Sequence, residues 1–212
     1  MKVLLLAGLA LLAQTPDTLT ILHENGHKAR EGRIVHGRRE GLWRGWYPDG
    51  TPQYEGEFHD YLREGRWTQY APSGAKFSQG SFRLDLQEGA WLRWYEDGQV
   101  EFEGHFLAGR EDGAWVYYHK NGELRARGAY AAGKQVGEWV DYHDNGQKLR
   151  LGSYESGVRV GTWTSWYADG QKQSEGAFVD GQPSGAWRYW TPDGSKDLEQ
   201  SGTYRDGQRV GP

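Results

Sequence analysis

A repeat of 24 residues runs through almost the whole chain and constrains its fold more than any other feature. The motif Gly-x-Trp recurs seven times at this spacing, at Trp43, Trp67, Trp91, Trp115, Trp139, Trp163 and Trp187. Two further sets of glycines keep the same step, one starting at Gly26 and the other at Gly32. Self-similarity at a fixed period of about 20–50 residues indicates an array of equivalent supersecondary units.

Each unit reads Gly-x-Trp-x-x-(Trp/Tyr)-x-x-(Asp/Asn)-Gly, then five residues, then Gly-x-(Phe/Tyr)-x-x-Gly. We count eight copies, which start near residues 17, 41, 65, 89, 113, 137, 161 and 185. The first copy is degenerate, because Leu19 and Leu22 replace its two aromatic residues. Degenerate end copies are typical of capping repeats. The last copy carries a two-residue insertion between Gly194 and Gly202. The sequence therefore predicts one repeat domain over residues 17–212.

An Asp-Gly or Asn-Gly pair, such as Asp49-Gly50, stands in the middle of seven of the eight units. These pairs are typical of a type I′ hairpin turn, whose two central residues both need a positive φ. Each unit is therefore predicted to be a β-hairpin with this turn at its tip. The resulting register predicts three opposed pairs in the second unit: Gly41 with Phe58, Trp43 with Gly56, and Tyr47 with Pro52. The glycine opposite each tryptophan would leave room for its ring.

Eight hairpins in chain order predict an all-β fold of sixteen strands. The tandem hairpins would form one extended, twisted antiparallel meander sheet. At a strand spacing of about 4.8 Å, the sheet would be on the order of 75 Å long if it were unrolled. The first strand, over residues 18–23, is apolar and weakly protected, so self-association through edge strands is an open alternative.

The start of the chain differs from the repeats. Lys2 is followed by an uncharged apolar run over residues 3–13, which is too short to span a bilayer as a helix. One positive residue, an apolar segment and a small residue, Ala13, are the pattern of a secretory signal peptide. We expect residues 1–13 to be a signal peptide and 14–16 a short linker, with the mature protein periplasmic or extracellular. A buried N-terminal element in a cytoplasmic protein is the alternative.

Composition excludes several classes of function. Lys and Arg number 25 against 29 Asp and Glu, a net charge of −4, so nucleic-acid binding is not expected. The chain has no cysteine, which excludes disulfides and cysteine-ligated metals. It contains no catalytic or cofactor-binding motif, and the copies keep their spacing without a unique site. We therefore expect no enzyme activity, no cofactor and no metal.

Side chains alternate between the two faces of a strand, which places two aromatic stripes on opposite faces of the predicted sheet. The face of the Gly-x-Trp tryptophans, called the ring face here, also holds Phe58 and is predicted to be the core. The second face would carry polar return-strand residues, among them Gln53, Glu55, Glu101, Glu103, Arg125 and Arg127. The second stripe on that face is our candidate partner-binding surface, and it consists of Trp46, Tyr70, Trp94, Tyr118, Tyr142, Trp166 and Trp190. The alternative is that these rings only pack on neighbouring strands.

Two other groups of residues were considered as sites. His23, His119 and His143 share one repeat position, but two neighbouring histidines without an acidic third ligand are a weak zinc signal. They are interpreted as solvent-side strand histidines. Carboxylate pairs such as Glu96-Asp97 stand at predicted hairpin tips, where they suit turn formation better than acid catalysis.

The repeat resembles a known family. The segment Gly137-Glu-Trp139-Val-Asp-Tyr142-His-Asp-Asn145-Gly146 is similar to MORN repeats, specifically the bacterial variant found in YwqK-type antitoxin-like proteins. This resemblance implies an extended repeat sheet that binds proteins or lipids and acts as a scaffold without catalysis. The segment from Gly161 to Gly170 also resembles cell-wall-binding repeats that hold choline in aromatic cages. Those repeats are shorter and usually begin Gly-Trp, so the period and the Gly-x-Trp spacing favour the MORN-like interpretation.

Three functional hypotheses follow. The leading one is an exported, non-enzymatic scaffold that binds another protein through a broad face of its sheet. The first alternative is binding of carbohydrate or cell wall by the second stripe, and the second is an antitoxin or immunity protein that neutralises a toxin. None of the three requires a nucleic acid, an integral membrane span or a cofactor.

Overall fold

The computed structural model describes residues 17–212, all of which form β-strands and their connections. The predicted signal peptide and linker lie outside these residues. The strands are β1 (Asp17–Leu22), β2 (Lys28–Val35), β3 (Arg38–Trp46), β4 (Pro52–His59), β5 (Leu62–Tyr70), β6 (Lys76–Arg83), β7 (Leu86–Trp94), β8 (Val100–Leu107), β9 (Arg110–Glu111), β10 (Gly113–Tyr118), β11 (Leu124–Ala131), β12 (Lys134–Tyr142), β13 (Lys148–Glu155), β14 (Val158–Trp166), β15 (Lys172–Val179), β16 (Gln182–Tyr189), β17 (Gly202–Arg205) and β18 (Gln208–Gly211). Over the described residues, no helix is long and apolar enough to cross a membrane.

The strands form one open antiparallel meander, which confirms the predicted fold class. Each strand pairs with the next except β9, because β8 pairs with both β9 and β10. The structure has eighteen strands instead of sixteen for two reasons. A long strand is interrupted at Asp112, whose N–H donates to the carbonyl of His105, and β18 begins a further half-unit.

The predicted turn type at the Asp-Gly tips is wrong. Between Tyr47 and Thr51 only Gly50 has a positive φ, of 92°, and its N–H donates to the Tyr47 carbonyl. This is a type I turn, with Pro48 and Asp49 at its centre and a glycine bulge after it. Aspartate remains in a right-handed conformation because its carboxylate accepts the N–H of Thr51 at 2.9 Å. The bulge also shifts the register there, so that Trp46 pairs with Pro52 where Tyr47 was expected.

Two-residue type I′ turns lie at the other ends of the strands, away from the Asp-Gly tips, where they join each hairpin to the next. Both residues of each turn have positive φ, for example 49° and 79° at His36-Gly37. Two of the eight turns contain no glycine: Asp60-Tyr61, with φ of 51° and 71°, and Leu84-Asp85, with 52° and 66°. These turns place non-glycine residues in a region that costs about 1–2 kcal/mol for most side chains.

The Gly-x-Trp motif forms a bulge between neighbouring hairpins. Gly32 pairs with Trp43 and Arg33 with Glu40, so Gly41 and Leu42 have no partner on β2. Gly41 has a φ of 66°, and the six equivalent glycines also have positive φ. Glycine is therefore favoured at the first position of the motif because the backbone there adopts a positive φ.

The core lies on the ring face, as predicted. The seven Gly-x-Trp tryptophans are buried, and they alternate with aromatic rings at edge-to-face angles, for example Phe58 and Trp67 with centroids 5.0 Å apart and planes at 88°. Each tryptophan lies opposite a glycine of its own hairpin, such as Trp43 opposite Gly56, which confirms that register. The steric role of the glycine differs from the prediction, however, because the ring covering Gly56 is Trp67 of the next hairpin.

Candidate functional site

The ring face is closed by hydrogen bonds as well as by packing. The indole Nε1 of each Gly-x-Trp tryptophan donates to a carbonyl ten residues earlier, at 3.0 Å from Trp67 to Glu57 and 3.1 Å from Trp91 to Ser81. The acceptor residue lies directly beside the bulge, at the point where the register shifts. The indole therefore fills a groove and satisfies a carbonyl, which fits a structural role.

Arginine guanidinium groups cover part of this aromatic ladder. Arg39 lies 4.8 Å from the Trp43 ring centroid, and Arg63 lies 3.8 Å from that of Phe82. Beside the ladder, Tyr117 packs on Trp115, and its burial together with a hydrogen bond to Tyr130 raises the pKa of its hydroxyl. These contacts leave the ladder little exposed surface.

The second stripe lies on the opposite face, and all seven of its residues are half-buried. Six of them are the last residue of a strand, for example Trp46 of β3 and Trp94 of β7, and Trp190 follows β16 in an isolated bridge with Lys196. The assignment of these residues to partner binding stays a prediction for Trp46, Tyr70, Trp94, Tyr118, Tyr142, Trp166 and Trp190. Their partial exposure is compatible with that role.

Lysine ammonium groups lie over four of the stripe tryptophans. The Nζ atoms are 5.8–5.9 Å from the ring centroids in the pairs Lys28 with Trp46, Lys76 with Trp94, Lys148 with Trp166, and Lys172 with Trp190. The lysine comes from the return strand of the preceding hairpin in each case. A flat ligand stacking on these rings would first have to displace the lysine.

Three return-strand residues do not share this face, contrary to the sequence-based assignment. The tip bulge turns them towards the ring face. Glu101 pairs with Arg93 at 2.9 Å, and Arg125 lies 5.3 Å from the centroid of Tyr117, both next to the ladder. Gln53 occupies the same bulged position in its own hairpin. Glu55 and Glu103 are on the second face as predicted, where they contact Arg44 and Tyr118.

The three equivalent histidines connect neighbouring repeats. Nε2 of His143 lies 2.9 Å from the Trp166 carbonyl, and Nε2 of His119 lies 3.0 Å from that of Tyr142. Because a carbonyl only accepts, Nε2 carries the proton. His23 makes the same contact with the Trp46 carbonyl. The three side chains are half-buried and hydrogen-bonded to the next repeat, so the interpretation as solvent-side histidines is wrong. Tyrosine hydroxyls take this role in three other repeats, at Tyr47, Tyr95 and Tyr167.

The tip carboxylates act within their turns. Asp97 accepts the N–H of Gln99 at 3.0 Å, and the corresponding bond from the Thr51 N–H lowers the pKa of Asp49. Across residues 17–212, no three His, Asp or Glu side chains are grouped so that they could hold a metal ion.

Sequence reasoning missed an open cleft of about 540 Å³ on the ring face near the C-terminal end. It lies at Ser165 and Ser174, whose positions carry the rings Tyr117 and Phe102 in an earlier part of the array, and Trp163, Trp187 and Tyr189 form its walls. The two serine hydroxyls are 2.6 Å apart and bond to each other. Comparison of the copies position by position could have found this gap, since Ser165 and Ser174 are both small and lie opposite each other in one hairpin.

Comparison with known proteins agrees with the repeat architecture. A family model described as MORN repeat variant matches residues 39–60, 87–108, 111–131, 135–156 and 159–180. These segments cover just over half of the chain and follow its hairpin repeats. No curated protein matches the sequence. MORN repeats are in general non-enzymatic protein-interaction modules, and this architecture fits such a scaffold. With five matched segments and a meander of hairpins in the same period, the chain belongs to the MORN repeat variant family.

Proposed function

We propose that this chain is a non-enzymatic scaffold that binds another protein through the second face of its sheet. The observation that carries the proposal is the contrast between the two aromatic stripes. The ring-face tryptophans are buried and hydrogen-bonded within the fold, whereas the seven second-stripe rings are half-exposed at regular spacing. Tyrosine and tryptophan in this state are the residues that most often dominate protein interfaces.

The lysines over the stripe favour a protein partner over a glycan. Sugar rings bind by stacking on an open aromatic face, but lysines such as Lys76 already lie over four of these rings. A protein surface can instead contact both the ring edge and the lysine. Carbohydrate binding therefore stays the first alternative, and neutralisation of a toxin by an antitoxin-like protein stays the second.

Export is a separate proposal. We infer from the sequence pattern that residues 1–13 direct secretion and are then removed, which places the scaffold in the periplasm or outside the cell. Mass spectrometry of the native protein would test this by the identity of its first residue. An uncleaved protein in the cytoplasm would contradict export and favour the antitoxin alternative.

The test of the binding face is quantitative capture with three forms of the protein. The first is wild type, the second carries alanine at Trp46, Trp94, Trp166 and Trp190, and the third carries serine at the exposed residues Leu62, Leu86, Leu107 and Val179. Far-ultraviolet circular dichroism establishes that all three are folded. We expect a protein partner that the second form loses and the third retains.

Other outcomes separate the alternatives. Carbohydrate binding would be favoured if wild type were retained on isolated cell wall, the second form were not, and no protein partner were captured. A captured toxin whose activity the chain suppresses would favour the antitoxin role. A partner held equally by all three forms would contradict the assignment of the second stripe.

A further inference from the structure

Arg127 on β11 differs from every other polar residue at its repeat position. The equivalent residues on the second face all make side-chain contacts within the protein. Glu31 pairs with Lys28, Glu55 with Arg44, and Glu175 with Lys172, while Gln79 bonds to Thr68 and Glu103 to Tyr118. Across residues 17–212, Arg127 has no carboxylate within ion-pair distance and no side-chain hydrogen bond.

The residues directly across from Arg127 on both neighbouring strands are apolar. It pairs with Val116 on one neighbouring strand and with Val140 on the other, and Val140 is only 4% exposed. Leu151 lies directly across from Val140 on β13. Two stripe residues, Tyr118 and Tyr142, end the same two strands. An exposed guanidinium therefore stands among aliphatic and aromatic side chains near the middle of the sheet.

We propose that Arg127 is the central contact of the second face and that it receives an aspartate or glutamate of a partner protein. This inference rests on the proposed function, whose binding face it uses. Arginine pairs with a carboxylate through two parallel hydrogen bonds, and apolar neighbours that exclude water strengthen the pair. The partner segment therefore presents one carboxylate flanked by apolar side chains.

The charge pattern favours such a partner over a polyanion. The repeat position that holds Arg127 is acidic in four other repeats, with Glu31, Glu55, Glu103 and Glu175 along the same row. A nucleic acid or other polyanion running along this row would meet carboxylates in other repeats, and the net charge of the chain is −4. A single carboxylate at Arg127 avoids that repulsion.

The experiment selects binders from a displayed library of random dodecapeptides on the full chain. Peptides are retained when Trp94→Ala/Tyr142→Ala weakens their binding, which restricts them to the second face. We expect these peptides to contain Asp or Glu between apolar residues. Replacing that residue by Asn or Gln should weaken binding to wild type about tenfold or more, but hardly change binding to Arg127→Gln.

The control is Arg205→Gln, which removes an exposed arginine at the end of the second face and should leave binding unchanged. Second-face peptides without an acidic residue, or without coupling to Arg127, would overturn this inference and leave the proposed function standing. If every selected peptide tolerated Trp94→Ala/Tyr142→Ala, both proposals would fail. A dimer of this chain that Arg127→Glu dissociates would also overturn the inference, because the face would then bind a second copy.

Discussion

A Cβ atom built on Gly56 would lie 2.1 Å from Cδ2 of Trp67, which is closer than any real contact. The indole ring of Trp67 rests directly on the Gly56 backbone, and its Nε1 holds the adjacent Glu57 carbonyl. Gly56→Ala must therefore displace a ring that is fixed on both sides. We expect it to lower the free energy of unfolding by about 3 kcal/mol, as measured by urea denaturation.

Gly211 provides the matched control for this prediction. It has neither a positive φ nor any atom within 4 Å of its Cβ position. Gly211→Ala should therefore change the free energy of unfolding by less than about 0.5 kcal/mol. If Gly56→Ala and Gly211→Ala changed the free energy of unfolding equally, the Trp67 ring would not require glycine at position 56.

Trp91→Phe tests the hydrogen-bonding role of the ladder. The substitution keeps an aromatic ring on Gly80 but removes the donor that lies 3.1 Å from the Ser81 carbonyl. Loss of the bond and of buried ring area should cost about 3 kcal/mol in thermal or urea unfolding. Trp94→Phe on the second face is the comparison, and it should cost about 1 kcal/mol or less because Trp94 is half-exposed. Comparable losses at both positions would contradict the structural distinction between the stripes.

Leu84→Asn should stabilise the protein, although it removes an apolar side chain. Leu84 is 59% exposed and has a φ of 52° in a two-residue turn. Asparagine tolerates this conformation better than leucine, so we expect a gain of about 0.5–1 kcal/mol in the free energy of unfolding. Leu86→Asn, at an exposed strand position two residues later, should instead be neutral or destabilising. A loss of stability in Leu84→Asn would mean that the turn does not strain leucine.

The turns show how far the sequence could predict this fold. The repeat period and the glycine opposite Trp43 were enough for the hairpin array, its antiparallel order and its core. The Asp49-Gly50 pair was misleading because it occurs in two turn types, and Asp49 forms the type I turn by accepting the Thr51 N–H. The type I′ turns at Asp60-Tyr61 and Leu84-Asp85 carry no glycine, so no local pattern marks them.

The candidate site could be predicted only in part. Strand alternation correctly separated Trp46 from the ring face, since Trp46 follows Trp43 by three positions, an odd number, with no bulge on β3 between them. The same rule failed for Glu101, because a bulge on the return strand turns it towards Arg93. Contacts between repeats, such as His143 with the Trp166 carbonyl, depend on the spacing of adjacent hairpins, which a single repeat does not encode.

His143→Tyr and His143→Ala test the hydrogen bond between the side chain at position 143 and the Trp166 carbonyl of the next repeat. Tyr167 occupies the same position in the next repeat and donates its hydroxyl to the Trp190 carbonyl at 2.7 Å. Tyrosine at position 143 should therefore keep the free energy of unfolding within about 0.5 kcal/mol of wild type, while alanine should cost about 1 kcal/mol. Denaturation of the two variants in parallel measures both values. If His143→Ala is as stable as His143→Tyr, the hydrogen bond to the Trp166 carbonyl contributes nothing to the free energy of unfolding.

His59 should give the protein a small pH dependence of stability. A hydrogen bond and charge attraction from Glu40, with Nδ1 and Oε1 3.0 Å apart, raise the pKa of His59, and the same bond lowers the pKa of Glu40. A raised histidine pKa contributes stability that is complete below the pKa of the unfolded histidine, about 6.5, and is lost as pH rises through the folded pKa. The lowered pKa of Glu40 has the opposite effect, and its contribution is lost as pH falls.

The pair is therefore most favourable in the weakly acidic range, where both groups are charged. Titration of the His59 ring protons by NMR should give a pKa above that of free histidine, and Glu40→Gln should return it towards the ordinary value. Since His59 is largely exposed, added salt should also shrink the shift by screening. An unchanged His59 titration in Glu40→Gln would show that the two side chains do not interact in solution.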